Sequence, residues 1–192
     1  MAITSIKTGS SFTNLVKYND FLGPNSAYIP PSFESIASAT GTGSSGTITF
    51  SSIPATYASL QIRCIANDGD NGQIIMRFNS DTGANYARHN LRGTGSIADA
   101  SGTANTSSIT NMGWAAGTTN VMGAAIIDIH DYASTTKTKV ARAITAYDAN
   151  GTGAIYLASG LYNSTTAINS ITFFVGGNFN TQTVFALYGI KG

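Results

Sequence analysis

Two histidines, one cysteine and a single glutamate, Glu34, are all that 192 residues offer to general acid–base or nucleophilic chemistry beyond scattered aspartates. His130 stands in "IDIHDYA", beside Asp131 and two residues after Asp128. On a strand Asp128 and His130 share one face, the spacing an Asp–His pair requires. A triad would also need a serine nucleophile, and none of the serines sits in a G-x-S-x-G elbow. The polar end of a strand entering the turn "HDYAST" accounts for the same residues, so no catalytic residue is assigned. A glycosidase needs paired carboxylates across a cleft, and no spacing of the nine acidic residues provides them. "NDGDNGQ", with Asp68, Asp70 and Asn71, resembles part of a calcium loop but lacks the closing glutamate. A hairpin turn with left-handed Asp and Gly meets the same pattern. Neither metal nor cofactor is expected. Cys64, in "SLQIRCIAND", keeps step with Leu60, Ile62 and Ala66 and reads as a buried structural thiol. Trp114, Tyr132, Tyr147, Tyr156 and Tyr162 lie in or near turns, where a ring can stack on the C–H face of a sugar. Trp114, Tyr132 and Tyr162 are the candidate glycan contacts. Tyrosine is also a common strand residue, and that reading competes.

The surroundings of these residues are nearly uncharged. Charged residues make up 10% of the chain and the net charge is +1, far below the usual quarter of a globular sequence. Ser, Thr, Asn, Ala and Gly fill the difference, a mixture that disfavours long helices and suits packing against copies of the same chain. Arg88, His89 and Arg92 form one small basic cluster, and Lys137, Lys139 and Arg142 another. Neither is a stripe dense enough to neutralise phosphates, so nucleic acid is not an expected partner. The N-terminus lacks the apolar core of a secretory signal, and no apolar run reaches transmembrane length. Membrane insertion is therefore not expected.

The elements that must position these groups fall into two parts. Residues 1–32 alternate short apolar groups with turn formers and contain Pro24, Pro30 and Pro31, which break any longer helix. They read as an extended N-terminal arm that docks on another surface; one or two helical turns after Ser10 and Ser11, and an arm folded back on its own domain, are the alternative readings. Phe12, Leu15, Val16, Phe21 and Leu22 form an apolar set too large for so short a segment to bury, and are the candidate attachment residues. From 33 to 192 the apolar period is two, punctuated by Gly-rich turns about every ten residues. About nine short strands, no clear helix and no repeat of fixed length predict an all-β, antiparallel β-sandwich of jelly-roll type. The Gly, Ser, Thr and Ala run from Gly93 to Ser108 reads as a long loop.

Several of these strands are apolar on both faces. In "NVMGAAIIDI", Val121, Ala125, Ile127 and Ile129 oppose Met122, Ala124 and Ile126. In "SITFFVGG", Ile171, Phe173 and Val175 oppose Phe174, and the last strand, "VFALYGI", is apolar throughout. A sandwich of one chain gives each strand one dry face. The second face predicts a symmetric oligomer, with Met122, Ala124, Ile126 and Phe174 as interface candidates, unless the 93–108 segment covers it.

The stretches "FESIASAT", "GTITFSSIPATYASLQIR", "RFNSDTGANYARHNLRG", "IDIHDYASTTKTK" and "NSITFFVGGNFNTQTVFALYGIKG" together resemble a domain of tailed-bacteriophage virion proteins, over roughly residues 33–192. The resemblance implies a non-enzymatic β-sandwich that forms a homotrimer. It would be made in the host cytoplasm, and the N-terminal part would join it to other proteins on the exterior of the virion's tail or capsid. The absence of a shaft or coiled coil favours a short fibre or spike, its loops touching host surface glycans. A capsid decoration protein is the alternative reading, and a polysaccharide depolymerase a distant third.

Overall fold

The period of two runs through the computed structural model, which describes residues 32–192. Among these residues there is no helix. Twelve strands succeed one another: β1 (Phe33–Thr40), β2 (Thr47–Phe50), β3 (Ser59–Ala66), β4 (Gln73–Phe78), β5 (Tyr86–Gly93), β6 (Ala98–Thr106), β7 (Ile109–Trp114), β8 (Gly123–His130), β9 (Lys139–Asp148), β10 (Gly153–Tyr162), β11 (Ile171–Phe174) and β12 (Val184–Ile190). They form an antiparallel β-sandwich of two unequal sheets. Eight strands run in the order β1-β12-β3-β8-β9-β10-β5-β6, and four in the order β2-β11-β4-β7.

The inward set is the one the alternation specifies. Leu60, Ile62, Cys64 and Ala66 of β3 are buried with Ala125, Ile127 and Ile129 of β8 and Phe185 and Leu187 of β12. Against them pack Ile74, Met76 and Phe78 of β4, Ile48 and Phe50 of β2, and Ile171 and Phe173 of β11. The rings of Phe173 and Phe185, one from each sheet, lie 4.9 Å apart. Where β7 crosses β10 the layers close up, and a Cβ on Gly160 would stand 2.6 Å from the Ile109 side chain. Burial of Cys64 pushes its thiol up to about 12, which keeps it in the protonated, unreactive form.

The small sheet is joined to the large one by a tight corner. Asn79 and Ser80, both at positive φ, form a type I′ turn closed by the Asp81 N–H donating to the Phe78 carbonyl at 2.9 Å. The Asp81 carboxylate then accepts from the Gly83 N–H, the Asn85 amide and the Tyr162 hydroxyl. Tyr162 stacks on Tyr86 at 4.9 Å, and the Tyr86 hydroxyl reaches back to the Phe78 backbone. One carboxylate thus ties the turn, β5 and β10 together.

Two elements depart from expectation. Residues 93–108 are not a covering loop: Ala98–Thr106 form the edge strand β6, paired with β5 and exposed along almost all its length. It buries no large apolar side chain; backbone pairing with β5 and polar contacts such as Arg92–Asp99 and Ser101–Asn90 order it. β7 was also not foreseen, because its register shifts against β4 between Ile74 and Met76, and Asn111 within it takes positive φ. A bulge of this kind breaks the alternation by which a strand is recognised.

The donors around Asp81, the Asn85 amide first and the Gly83 N–H next, hold its carboxyl below the ordinary value of 3.8. A depressed carboxylate contributes stability above the unfolded pKa, and that stability is lost as pH falls through the folded one. The melting temperature of the wild type should therefore drop more steeply below about pH 4 than that of Asp81→Asn, while the variant should melt lower at neutral pH. Equal pH slopes in differential scanning calorimetry would remove Asp81 from this role.

Candidate assembly face and edge cleft

In the large sheet, even-numbered β8 residues point away from the core, and their cross-strand partners follow. Ile126 pairs with Ile144 of β9, Ile144 with Leu157 of β10, and Leu157 with Leu91 of β5. Four branched side chains thus form a row across four adjacent strands. A second row runs beside it: Ile65, Ala124, Ala146 and Ile155. Each large residue of the two rows keeps 42–58% of its surface open. Shallow grooves of about 500 and 270 Å³ follow the first row, with Leu157 and Arg142 in both.

The row on the other side is polar. Asp128 accepts from the Gln61 amide at 2.8 Å and from Arg142 Nε at 3.2 Å, and Arg63 donates to Gln61 at 2.8 Å. The carboxylate is engaged by these two donors and makes no hydrogen bond to His130. The Asp–His pair that the spacing allowed is not brought together. His89 lies further along the same polar row, opposite Gly102. Asp68 serves its turn, accepting the N–H groups of Asp70 and Gly72 through Oδ1. Among the described residues no group of three or more His, Cys, Asp or Glu could hold a metal ion.

The interface candidates divide between the two sheets. Ala124 and Ile126 stand on the open face, and Met122 lines a depression of about 640 Å³ at its rim with Ala146 and Ile155. Phe174 lies on the outer face of the small sheet, where Arg77 covers its ring at 4.9 Å. It cannot belong to the same surface as the other three. The outer side of the last strand is part-covered in a like way, with Arg63 over Tyr188 at 5.4 Å and over Phe33 at 5.5 Å. Phe12, Leu15, Val16, Phe21 and Leu22 lie outside the described residues.

The aromatic candidates also separate. Tyr132 is fully buried, its hydroxyl donating to the Pro54 carbonyl, and Tyr162 is buried in the stack with Tyr86 and Phe78. Neither presents a ring to a glycan; both are core residues, Tyr162 because β10 carries it inward and Tyr132 because the turn after β8 folds its ring under. Trp114 is different. It lies near-parallel to Tyr147 and to Tyr156, with centroids 5.5 and 5.0 Å away, and its Nε1 donates to Asn71 at 2.9 Å. It borders an open cleft of about 680 Å³ between the edge of the small sheet and the β5–β6 hairpin. Arg92 and Asp99 form a two-pronged ion pair on the cleft's wall. Sequence reasoning missed Asn90, Asn111 and the Arg92–Asp99 pair, since none stands in a motif.

No protein-family model matches the chain, and neither a curated protein nor a solved structure shows significant similarity to it.

Neighbouring alanines on β8 separate the two faces. Ala125 is buried, so Ala125→Glu places an unpaired carboxylate in the core and should abolish folding or cost several kcal/mol, on the order of 3–5. Ala124 is exposed, and Ala124→Glu should change monomer stability by no more than about 0.5 kcal/mol. Chemical denaturation of both variants reads the contrast directly.

Proposed function

We propose that the chain is a non-enzymatic structural subunit that assembles with copies of itself through the outer face of its eight-stranded sheet, and that it serves in a virion as a short-fibre or spike-type protein. The observation that carries self-assembly is the pair of apolar rows from Ile65 to Leu91. Their open side-chain surface is on the order of 600 Å², the upper end of what a monomer leaves uncovered. It approaches the ~800 Å² per partner of a standard interface. Asp128 and Arg142 on the flanking row neutralise one another within the chain. Arg63, opposite Ile126, is the one cation beside the rows that no carboxylate among the described residues pairs with; Gln61 and the rings of Phe33 and Tyr188 hold it. Each large side chain newly buried would contribute about 1.5–3 kcal/mol. The resemblance to phage virion proteins supplies the setting and the number three; in a trimer, three such faces turn toward a common axis.

Sedimentation velocity at micromolar concentration should give a species about three times the 19.9 kDa chain mass. Ile144→Glu should sediment as a folded monomer. A monomeric wild type, or an Ile144→Glu variant as oligomeric as the wild type, overturns the interface. Immunogold labelling of purified particles tests the setting: tail label supports the fibre role, capsid label replaces it with decoration, and unlabelled particles refute both.

Attachment is assigned to the N-terminal arm, on the strength of its apolar set. Deleting residues 1–28 should leave an oligomeric core that no longer joins the particle. Incorporation at the normal copy number would move the anchor into the sandwich.

A further inference from the structure

The β5–β6 hairpin extends beyond the small sheet, and its inner side is polar where the rest of the large sheet's inner side is apolar. Asn90 is 6% exposed, and its Oδ1 accepts from Arg88 Nη1, from Ser101 Oγ at 3.1 Å and from Asn111 Nδ2 at 3.1 Å. Arg88 can only donate, so the atom facing it must be the oxygen. The Asn90 amide nitrogen therefore points the other way with two hydrogens, and it has no partner among the described residues, although Asn90 lines the cleft. Asn111, 9% exposed, gives its nitrogen to Asn90, which leaves its own carbonyl oxygen without a donor. Neither atom is sealed from the cleft, since the buried polar atoms without partners are on Asp68, Arg88 and Thr145 instead.

A nearly buried amide donor and a nearly buried amide acceptor thus lie unused side by side. The same cleft is lined by the part-exposed Trp114 ring, which is held by stacking on the buried Tyr156 at 5.0 Å. Both atoms reach the open cleft, where the hydroxyls of a ligand can take the place of water. From this geometry we infer that the cleft binds an uncharged saccharide. A sugar ring offers vicinal hydroxyls, each both donor and acceptor, together with an apolar C–H face that packs on aromatic rings. Charge argues against an anionic ligand. Arg92 is held by both oxygens of Asp99, and Arg88 turns its Nη1 to Asn90 and Ser101. Arg92 is the one cation that lines the cleft, and it is neutralised there by Asp99; Arg88, which has no carboxylate partner among the described residues, is not part of the lining. A volume of about 680 Å³ accommodates two or three sugar units.

The site lies on the opposite side of the sheet from Ile144, so the inference does not rest on self-assembly. Full-length protein is screened against an array of neutral and acidic oligosaccharides, and the best neutral tetrasaccharide is titrated by calorimetry. Binding of a neutral saccharide in the micromolar to low-millimolar range is expected, with Ile144→Glu binding equally well per chain. Asn90→Asp keeps the oxygen that faces Arg88 and Ser101 but replaces the free donor with an acceptor, and should weaken binding at least tenfold. Trp114→Phe, which retains a smaller ring, should weaken it severalfold. Melting curves of both variants identify any loss that comes from unfolding. No neutral ligand on the array, stronger binding of acidic sugars, or wild-type affinity in folded Asn90→Asp overturns the inference.

Discussion

The structure depends on a mismatch of width. Eight strands form one layer and four form the other, and a sheet can bury only the area its partner covers. The four-stranded sheet dries the centre of the large sheet's inner face, around Ile62, Ile127 and Ala143. Beyond β7 that inner face has no cover, and there it changes character. Arg88, Asn90 and Arg92 stand at positions of β5 that a wider partner sheet would require to be apolar. Among the described residues the outer face has no second layer, yet it carries Ile and Leu at its middle. A polar overhang and an apolar open face are the two sides of one geometric imbalance.

The low charge acquires meaning against this background. An exposed face of Ile126, Ile144, Leu157 and Leu91 would ordinarily be interrupted by lysine or glutamate, the devices that keep sheets from associating. Here the nearest charges are paired across adjacent strands, Asp128 with Arg142, or used to shield rings, Arg63 over Tyr188 and Phe33. Little electrostatic work then opposes bringing two copies together. The edge strand β6 is treated differently: small Ala and Gly residues alternate with Asp99, Ser101, Thr103 and Asn105, and Asp99 is paired with Arg92, which discourages growth of the sheet sideways. In the proposed assembly, association would be directed to the face and away from this edge.

How far the sequence anticipates this follows from what each element buries. Strands with one dry face, such as β3 and β4, show alternation sharp enough to assign Leu60, Ile62, Ile74 and Met76 inward from the letters alone. The second apolar face of β8 is equally visible, and it foretold that Ala124 and Ile126 would look outward. β6 escaped because a strand that buries no large apolar side chain has no apolar period, and β7 because its bulge at Asn111 breaks the period. Phe174 was grouped with Ala124 because a period of two tells which residues share a face of one strand, not which sheet the strand joins. Tyr132 and Tyr162 were misjudged for a related reason: nearness to a turn says nothing of the direction in which a tyrosine points. Asn90 and Asn111 carry no signal of their own, since only the fold shows that Arg88 fixes one amide and leaves its nitrogen free.

Strict alternation also decides how the two surfaces relate. Asn90 and Leu91 are consecutive on β5, and Tyr156 and Leu157 are consecutive on β10. Successive side chains of a strand point to opposite sides, so the residues of the cleft and those of the apolar row are interleaved in sequence but back to back in space. A copy docked on Leu91 and Leu157 would meet the side of the sheet opposite to the side chains of Asn90 and Tyr156, although Asn90, Ala100 and Ser101 border both the outer groove and the cleft. In a trimer closed around the apolar rows, each cleft faces away from the common axis. Weak single-site recognition of a sugar would then be presented three times on one assembly, and a surface carrying many copies of that sugar would be held far more tightly than one chain could hold it.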